Sequence, residues 1–187
     1  MDRFRTFVCL ITLSLTLAGL PDSVGDAGAG EPGFTEYEVK AGFIYNVAKF
    51  VEWPEGSGLS SKGTITLCVL GNDPFGKVLD NIEGKMVKGK RLEIRRVSSL
   101  RELKDCQIAF ISASEKEHLS RIADALREAS VLTIGDTEGF ISQGVIINFF
   151  MEGKKVRFEI DPERAKRSKL TISSQLLKLA KIAGEKQ

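Results

Sequence analysis

Thr64-Ile65-Thr66-Leu67-Cys68-Val69-Leu70-Gly71-Asn72-Asp73-Pro74 is the stretch that decides the architecture of this 187-residue chain. Its first seven residues are apolar or β-branched and run into a Gly-Asn-Asp-Pro stop, so they read as a buried strand closed by a turn. Downstream, Leu92 to Val97 reads as a partly exposed strand, and Gln107 to Ile111 and Val131 to Ile134 as short buried strands. Segments near Pro74 to Ile82 and Glu115 to Arg127 carry helical character between them. Strands alternating with helices predict an α/β sandwich, a mostly parallel sheet covered by helices on both faces.

The two ends of this pattern differ from its middle. Val145 to Met151 and Lys155 to Ile160 flank Glu152-Gly153-Lys154, which predicts an antiparallel C-terminal hairpin. Asp161-Pro162-Glu163 then offers an N-cap and a proline at the first helical position. Ser173 or Ser174 is suited to cap a last helix carrying Leu176, Leu177, Leu179, Ala180 and Ile182, an apolar row expected to pack on the sheet. Upstream, Tyr37, Ala41, Ile44, Tyr45, Ala48 and Val51 recur at three- and four-residue spacing. They predict a helix from Tyr37 that Pro54 stops, because the residue before a proline is driven out of the α region.

Arg3 and Arg5 precede an apolar run from Phe7 to Leu20, followed by Pro21 and small residues to about Gly30. That is the layout of a cleaved secretory signal, with cleavage after Gly25, Ala27 or Ala29; a retained anchor helix is the other reading. Residues 1–29 are thus assigned to a signal and leader, and 34–184 to one domain, with no membrane span in the mature chain. Without residues 1–29 the chain keeps 25 basic and 22 acidic residues, a net of +3, too little to point to a nucleic-acid partner. Cys9 leaves with the signal. Cys68 and Cys106 then pair most simply as a disulfide in an oxidising compartment, whereas in a reducing one they read as small buried hydrophobes.

Three polar loops follow the predicted strands: Gly71-Asn72-Asp73, Ser112-Ala113-Ser114 and Gly135-Asp136-Thr137. If their strands are parallel, the loops share one rim, the place where open α/β sheets gather ligands. Asn72, Asp73, Ser112, Ser114, Asp136 and Thr137 are therefore candidate ligand-binding residues, although the same residue types also cap helices and make turns. Gly71 to Gly76 lacks the Lys-Ser/Thr ending of a phosphate loop. Phe50 and Trp53 are candidate partner anchors, with core packing as the competing role. The basic run of Lys85, Lys88, Lys90, Arg91, Arg95 and Arg96 alternates with apolar residues as a solvated strand face does. His118, the single histidine, sits among Glu115, Lys116 and Glu117 without a thiol or a nucleophile elbow nearby in sequence, so neither metal ligation nor triad catalysis is indicated. Glu159 and Asp161 are a close carboxylate pair, of which Asp161 is the better read as the cap before Pro162. No cofactor motif is present.

Lys40 to Pro54 (KAGFIYNVAKFVEWP) resembles the opening of the YfiR-like family of bacterial periplasmic regulators. The likeness continues in the same order through Leu67 to Gly76, Asp105 to Glu115, Leu132 to Phe140, Ile147-Asn148-Phe149, Val156 to Ile160 and Ser173 to Leu177. Related sequences often carry glycine where Lys169 stands, and some carry a second, late cysteine pair that this chain lacks. The resemblance implies the Cys68–Cys106 bridge, dimer-forming relatives and a non-enzymatic periplasmic repressor. Such a repressor engages the periplasmic part of an inner-membrane diguanylate cyclase and lowers cyclic di-GMP and biofilm formation. A periplasmic small-molecule receptor for a sensor or transporter is the alternative expectation.

Overall fold

The computed structural model describes residues 33–55 and 63–184; the expected signal and leader, residues 1–29, lie outside them. Helix α1 (Glu36–Lys49) begins at a reciprocal cap. Thr35 Oγ1 accepts from the Glu38 amide and the Glu38 carboxylate accepts from the Thr35 amide, an arrangement that satisfies two otherwise orphaned donors. Ala41, Ile44, Val47 and Ala48 form its buried face, and Lys40 is buried with them.

The helix does not reach Pro54. It ends at Lys49, and Val51–Glu52 forms strand β1, paired antiparallel with β9 (Thr171–Ile172). The Ser173 amide also donates to the Phe50 carbonyl at 2.9 Å. Proline at position 54 restricts only its immediate neighbour, whereas pairing with a segment from the far end of the chain already holds residues 51–52 extended.

Strands β2 (Thr64–Leu70), β3 (Met86–Val87), β4 (Lys90–Val97), β5 (Ile108–Ile111), β6 (Leu132–Gly135), β7 (Ile147–Glu152), β8 (Lys155–Ile160) and β10 (Lys181–Ile182) form one sheet. Its order is β10-β8-β7-β6-β5-β2-β4-β3. The middle five strands are parallel, β7 and β8 form the antiparallel hairpin, and the edge strands β3 and β10 run antiparallel to β4 and parallel to β8 respectively.

Side chains alternate along β2, and both faces are covered. Ile65, Leu67 and Val69 join α1, Phe75, Leu79, Phe110 and Ile134 in one apolar cluster. Cys68 and Leu70 join Cys106, Ala109, Ile111, Phe140 and two helices in the other. Those helices are α2 (Leu100–Leu103) and α3 (Leu119–Leu126); α4 (Phe140–Gln143) follows β6. This period of two with both faces apolar is what a parallel strand inside a sandwich requires.

Two of the expected helical segments form wholly or partly as 3-10 helix. Gly76–Asn81 is a 3-10 helix, and Ala113–His118 is a 3-10 turn leading into α3. Asp161 caps α5 (Pro162–Arg167), its carboxylate accepting from the Arg164 amide, with Pro162 in the first turn. The last helix, α6 (Ser174–Leu177), is a single turn capped by Ser173. Leu176 is buried but Leu179 is 72% exposed, and Ile182 lies in β10, so the expected helical row from Leu176 to Ile182 does not form. Pairing of Lys181 and Ile182 with Glu159 and Ile160 draws the chain out into the sheet instead. Lys169, where related sequences often have glycine, is left-handed with φ 58°, a region that costs an ordinary residue about 1 kcal/mol or more.

Candidate functional site

Strand order reverses between β2 and β5, since the chain leaves β2 for β4 on one side and returns to β5 on the other. The loops after β2, β5 and β6 therefore meet at the carboxyl rim of parallel strands, the crevice in which open sheets bind ligands. The first two touch. The Asn72 amide donates to Ser114 Oγ at 2.9 Å, and the Ser112 and Ser114 hydroxyls are hydrogen-bonded to each other at 2.9 Å. Gly71, at φ +86°, makes this approach possible, because a Cβ there would lie 2.3 Å from Ser114 Oγ and 2.9 Å from Ser112 Oγ. Asp73 closes its own turn by accepting from the Phe75 amide, and its other oxygen takes the Arg96 guanidinium at 2.7 Å. Arg96 of the basic run thus pins this loop, and it also donates to the Gly76 carbonyl.

Asp136, after β6, is held from across the sheet. Lys40 Nζ lies 2.7 Å from Asp136 Oδ2, and the Tyr37 hydroxyl donates to the same oxygen at 3.1 Å. The Lys40 and Asp136 side chains are only 4% and 6% exposed, and the ammonium also meets Glu36. Burial alone would lower the Lys40 pKa, but hydrogen bonds to Asp136 and Glu36 outweigh it and hold the ammonium above its ordinary range. Burial, followed by the neighbouring Asp136 charge, raises the Tyr37 phenol. Thr137 contributes its carbonyl, which accepts from the Phe140 amide at the start of α4. Sequence reasoning did not single out Lys40. The available signal was its place three residues after Tyr37 and four before Ile44, on the apolar side of an amphipathic helix.

Phe50 and Trp53 are both half-buried against the core. Trp53 Nε1 donates to the Gln107 carbonyl at 3.1 Å, and a cleft of about 270 Å³ lies beside it, lined by Val51, Pro54, Ile65 and Lys88 among others. The structure does not bring this pair near the strand-end rim; the aromatic end of α1 sits at β1, the β9 clasp and the start of β5.

Cys68 in β2 and Cys106 just before β5 form a disulfide, with Cα atoms 6.0 Å apart and both side chains buried. The bridge fastens the two strands that flank the point of strand reversal. His118 is exposed, and among the described residues no cluster of three or more His, Cys, Asp or Glu is placed to hold a metal ion. None of the described helices is long and apolar enough to cross a membrane.

The molecule is thus an α/β sandwich in which the loops at the strand ends are hydrogen-bonded to one another and to α1. Residues 37–181 match the DUF4154 model, described as YfiR/HmsC-like, and the chain belongs to that family. No curated protein matches it. Among solved structures it is similar to a conserved domain protein from Vibrio cholerae, at 11% identity and a TM-score of 0.55. That likeness covers 80% of this chain and 60% of the other, and shows a shared fold. An ABC domain from Streptococcus pneumonia in complex with L-Trp aligns at 9% identity and a TM-score of 0.46, over 65% of this chain and 57% of that one.

Proposed function

We propose that this protein is a periplasmic negative regulator that binds the periplasmic part of an inner-membrane diguanylate cyclase and represses cyclic di-GMP synthesis. The observation that carries this reading is the family match, which extends from the first turn of α1 to the edge strand β10. The geometry favours a protein that acts through its surface. At the strand ends Lys40 and Tyr37 engage Asp136, and Asn72 is bonded to Ser114, so these polar groups already have partners within the chain.

A protein outside the cytoplasm influences a cytoplasmic catalytic domain only by preferring one conformation of a partner that spans the membrane. Driving that partner from almost wholly active to almost wholly inactive takes about 5.5 kcal/mol of such preference. Half-exposed aromatics beside a shallow apolar cleft are suited to supply it, so Phe50 and Trp53 are the proposed anchors. The test is deletion of the gene, with cyclic di-GMP measured alongside complementation by wild type and by Phe50→Ala/Trp53→Ala. The expected result is a rise on deletion, reversed by wild type and not by a folded double variant. An unchanged level on deletion, or full repression by a version lacking residues 1–29 and confined to the cytoplasm, overturns the reading.

A further inference from the structure

The two edges of the sheet are finished differently. Beside β4, the Glu83 carboxylate accepts from the Ile94 amide and the Lys85 carbonyl accepts from the Leu92 amide, so the chain covers its own strand. Beside β8, the short β10 reaches only Glu159 and Ile160. The Asp161 amide donates to the Ile146 carbonyl within the hairpin, while the Ile160 carbonyl takes the Ala183 amide on the outer side. Backbone groups alternate in direction along an antiparallel strand, so those of Val156 point outward as those of Ile160 do. Lys155 to Arg157 have no strand on that side, and the outward amide and carbonyl of Val156 have no partner among the described residues. Such an edge is a template for a further strand.

The surroundings decide which strand. A groove of about 360 Å³ lies beside this edge, lined by Phe150, Arg157, Phe158, Lys178, Leu179 and Lys181 among others. Leu179, at 72% exposure, has almost no cover of its own. Lys155 and Arg157 stand on one face of β8, and Lys181 joins them through its register with Glu159. The carboxylates nearby are engaged, Glu152 by Arg157 and Glu159 by Asn148. Lys155, Lys178 and Lys181 are exposed and form no ion pair among the described residues. Two copies of this chain joined edge to edge around Val156 would set Lys155 of each opposite Arg157 of the other, and like charges directly opposed are destabilising.

We propose that the outer edge of β8 takes up an acidic, extended segment of a partner protein as an added strand. The backbone of that segment pairs with Val156, its carboxylates meet Lys155, Lys178 and Lys181, and an apolar side chain covers Leu179 in the groove. Pairing through the main chain supplies the affinity, and the lysines select for acidic sequence. The inference does not rest on the regulator reading, since the open edge and its uncompensated cations are properties of this chain whatever its partner does.

The probe is a short blocked peptide of alternating valine and glutamate, titrated into the isotope-labelled purified protein. Saturable binding is expected, with the Val156 amide resonance shifted and its hydrogen exchange slowed. The same peptide with lysine in place of glutamate should not bind, nor should a fully N-methylated version that keeps its charge but donates nothing. Lys155→Glu/Lys181→Glu, at two exposed positions, should weaken binding by about tenfold or more. Val156→Pro, which removes an outward amide and leaves the β7 ladder intact, should abolish it. Near-ultraviolet circular dichroism verifies the folding of both variants. Absence of saturable binding overturns the proposal, as does equal binding of either control peptide, or unchanged affinity in the charge-reversed variant. Loss of the Val156 amide signal on concentrating the protein alone would give the edge to a second copy and overturn it as well.

Discussion

The carboxyl rim of the parallel strands and the hairpin end of the same sheet treat buried polar groups differently. At the rim, the Asp136 carboxylate has both Lys40 and Tyr37, and Asp73 has Arg96 and the Phe75 amide. At the hairpin, among the described residues, Asn148 Oδ1 has no partner and Glu159 has one long contact. A buried group left unsatisfied costs about 1–3 kcal/mol, so natural folds retain few of them. At the rim these polar residues tie α1 to the loop after β6 and the loops after β2 and β5 to each other. Substitutions at the rim should accordingly cost more stability than those at the hairpin.

The sharpest challenge to that division is Lys40→Met, which strands Asp136 in a buried position. Removal of one member of a buried ion pair typically costs about 3–5 kcal/mol, and denaturant unfolding of the purified protein measures it. Glu159→Gln should cost less than 1 kcal/mol by the same assay, in line with a group that has a single long hydrogen bond. Equal losses from the two variants would erase the distinction between rim and hairpin.

The same ion pair gives the pH dependence a definite sign. Lys40 and Tyr37 both have raised values in the folded state. Their contribution is complete below the unfolded values, about 10.4 and 10, and is lost as pH rises through the higher folded ones. Unfolding free energy should fall above about pH 10, and Lys40→Met should flatten that slope.

Next in size is the disulfide, which joins the two strands at the reversal point across a sequence separation of 38. On the chain-entropy model its loss costs about 4 kcal/mol, less whatever native strain is relieved, so 2–4 kcal/mol is expected for Cys68→Ala/Cys106→Ala. Alkylation of non-reduced protein should label neither cysteine; two labelled thiols in periplasmic material would remove the bridge from the rim's stability.

A matched pair of glycines sharpens the contrast further. Gly71→Ala places a methyl 2.3 Å from Ser114 Oγ at a φ of +86°, so strain and overpacking together should cost about 2–4 kcal/mol. Gly153→Ala, in the hairpin turn at φ +59° with open space around it, should cost about 1 kcal/mol from backbone strain alone. The smallest effect belongs to the exposed Leu179. Leu179→Ser should change stability by less than about 0.5 kcal/mol, and thermal unfolding suffices to check it.

The sheet was readable because its signals are local. The apolar run from Thr64 to Leu70, the short runs ending at Ile111 and Ile134, and the hairpin around Gly153 each carry their own pattern, and Asp161-Pro162 carries its own cap. The errors fall where a distant strand overrules local preference. Val51–Glu52 and Lys181–Ile182 continue helical periodicity, yet each is drawn extended by two residues of pairing with a segment far along the chain. The three-loop rim followed from strand direction, but its internal hydrogen bonding did not. Whether Asp136 faces solvent or Lys40 depends on how α1 crosses the sheet, and no spacing within either segment encodes that. Asn148 drew notice only as part of the Ile147-Asn148-Phe149 motif, because one polar residue inside a strand does not reveal whether its amide oxygen finds a donor.

The clasp of β1 with β9 has a bearing on the order in which the chain becomes native. Residues 51–52, directly after the first helix, are paired with residues 171–172, and the Phe50 carbonyl takes its hydrogen bond from Ser173. A polypeptide delivered from its N-terminus therefore has no β-partner for the end of its first helix until residues 171–173 have arrived. Contacts this far apart in sequence are slow to close. The end of the first helix and residues 171–173 are accordingly late, joint arrivals, and until they meet, Phe50 to Glu52 lack their clasp and are open to a protease or chaperone.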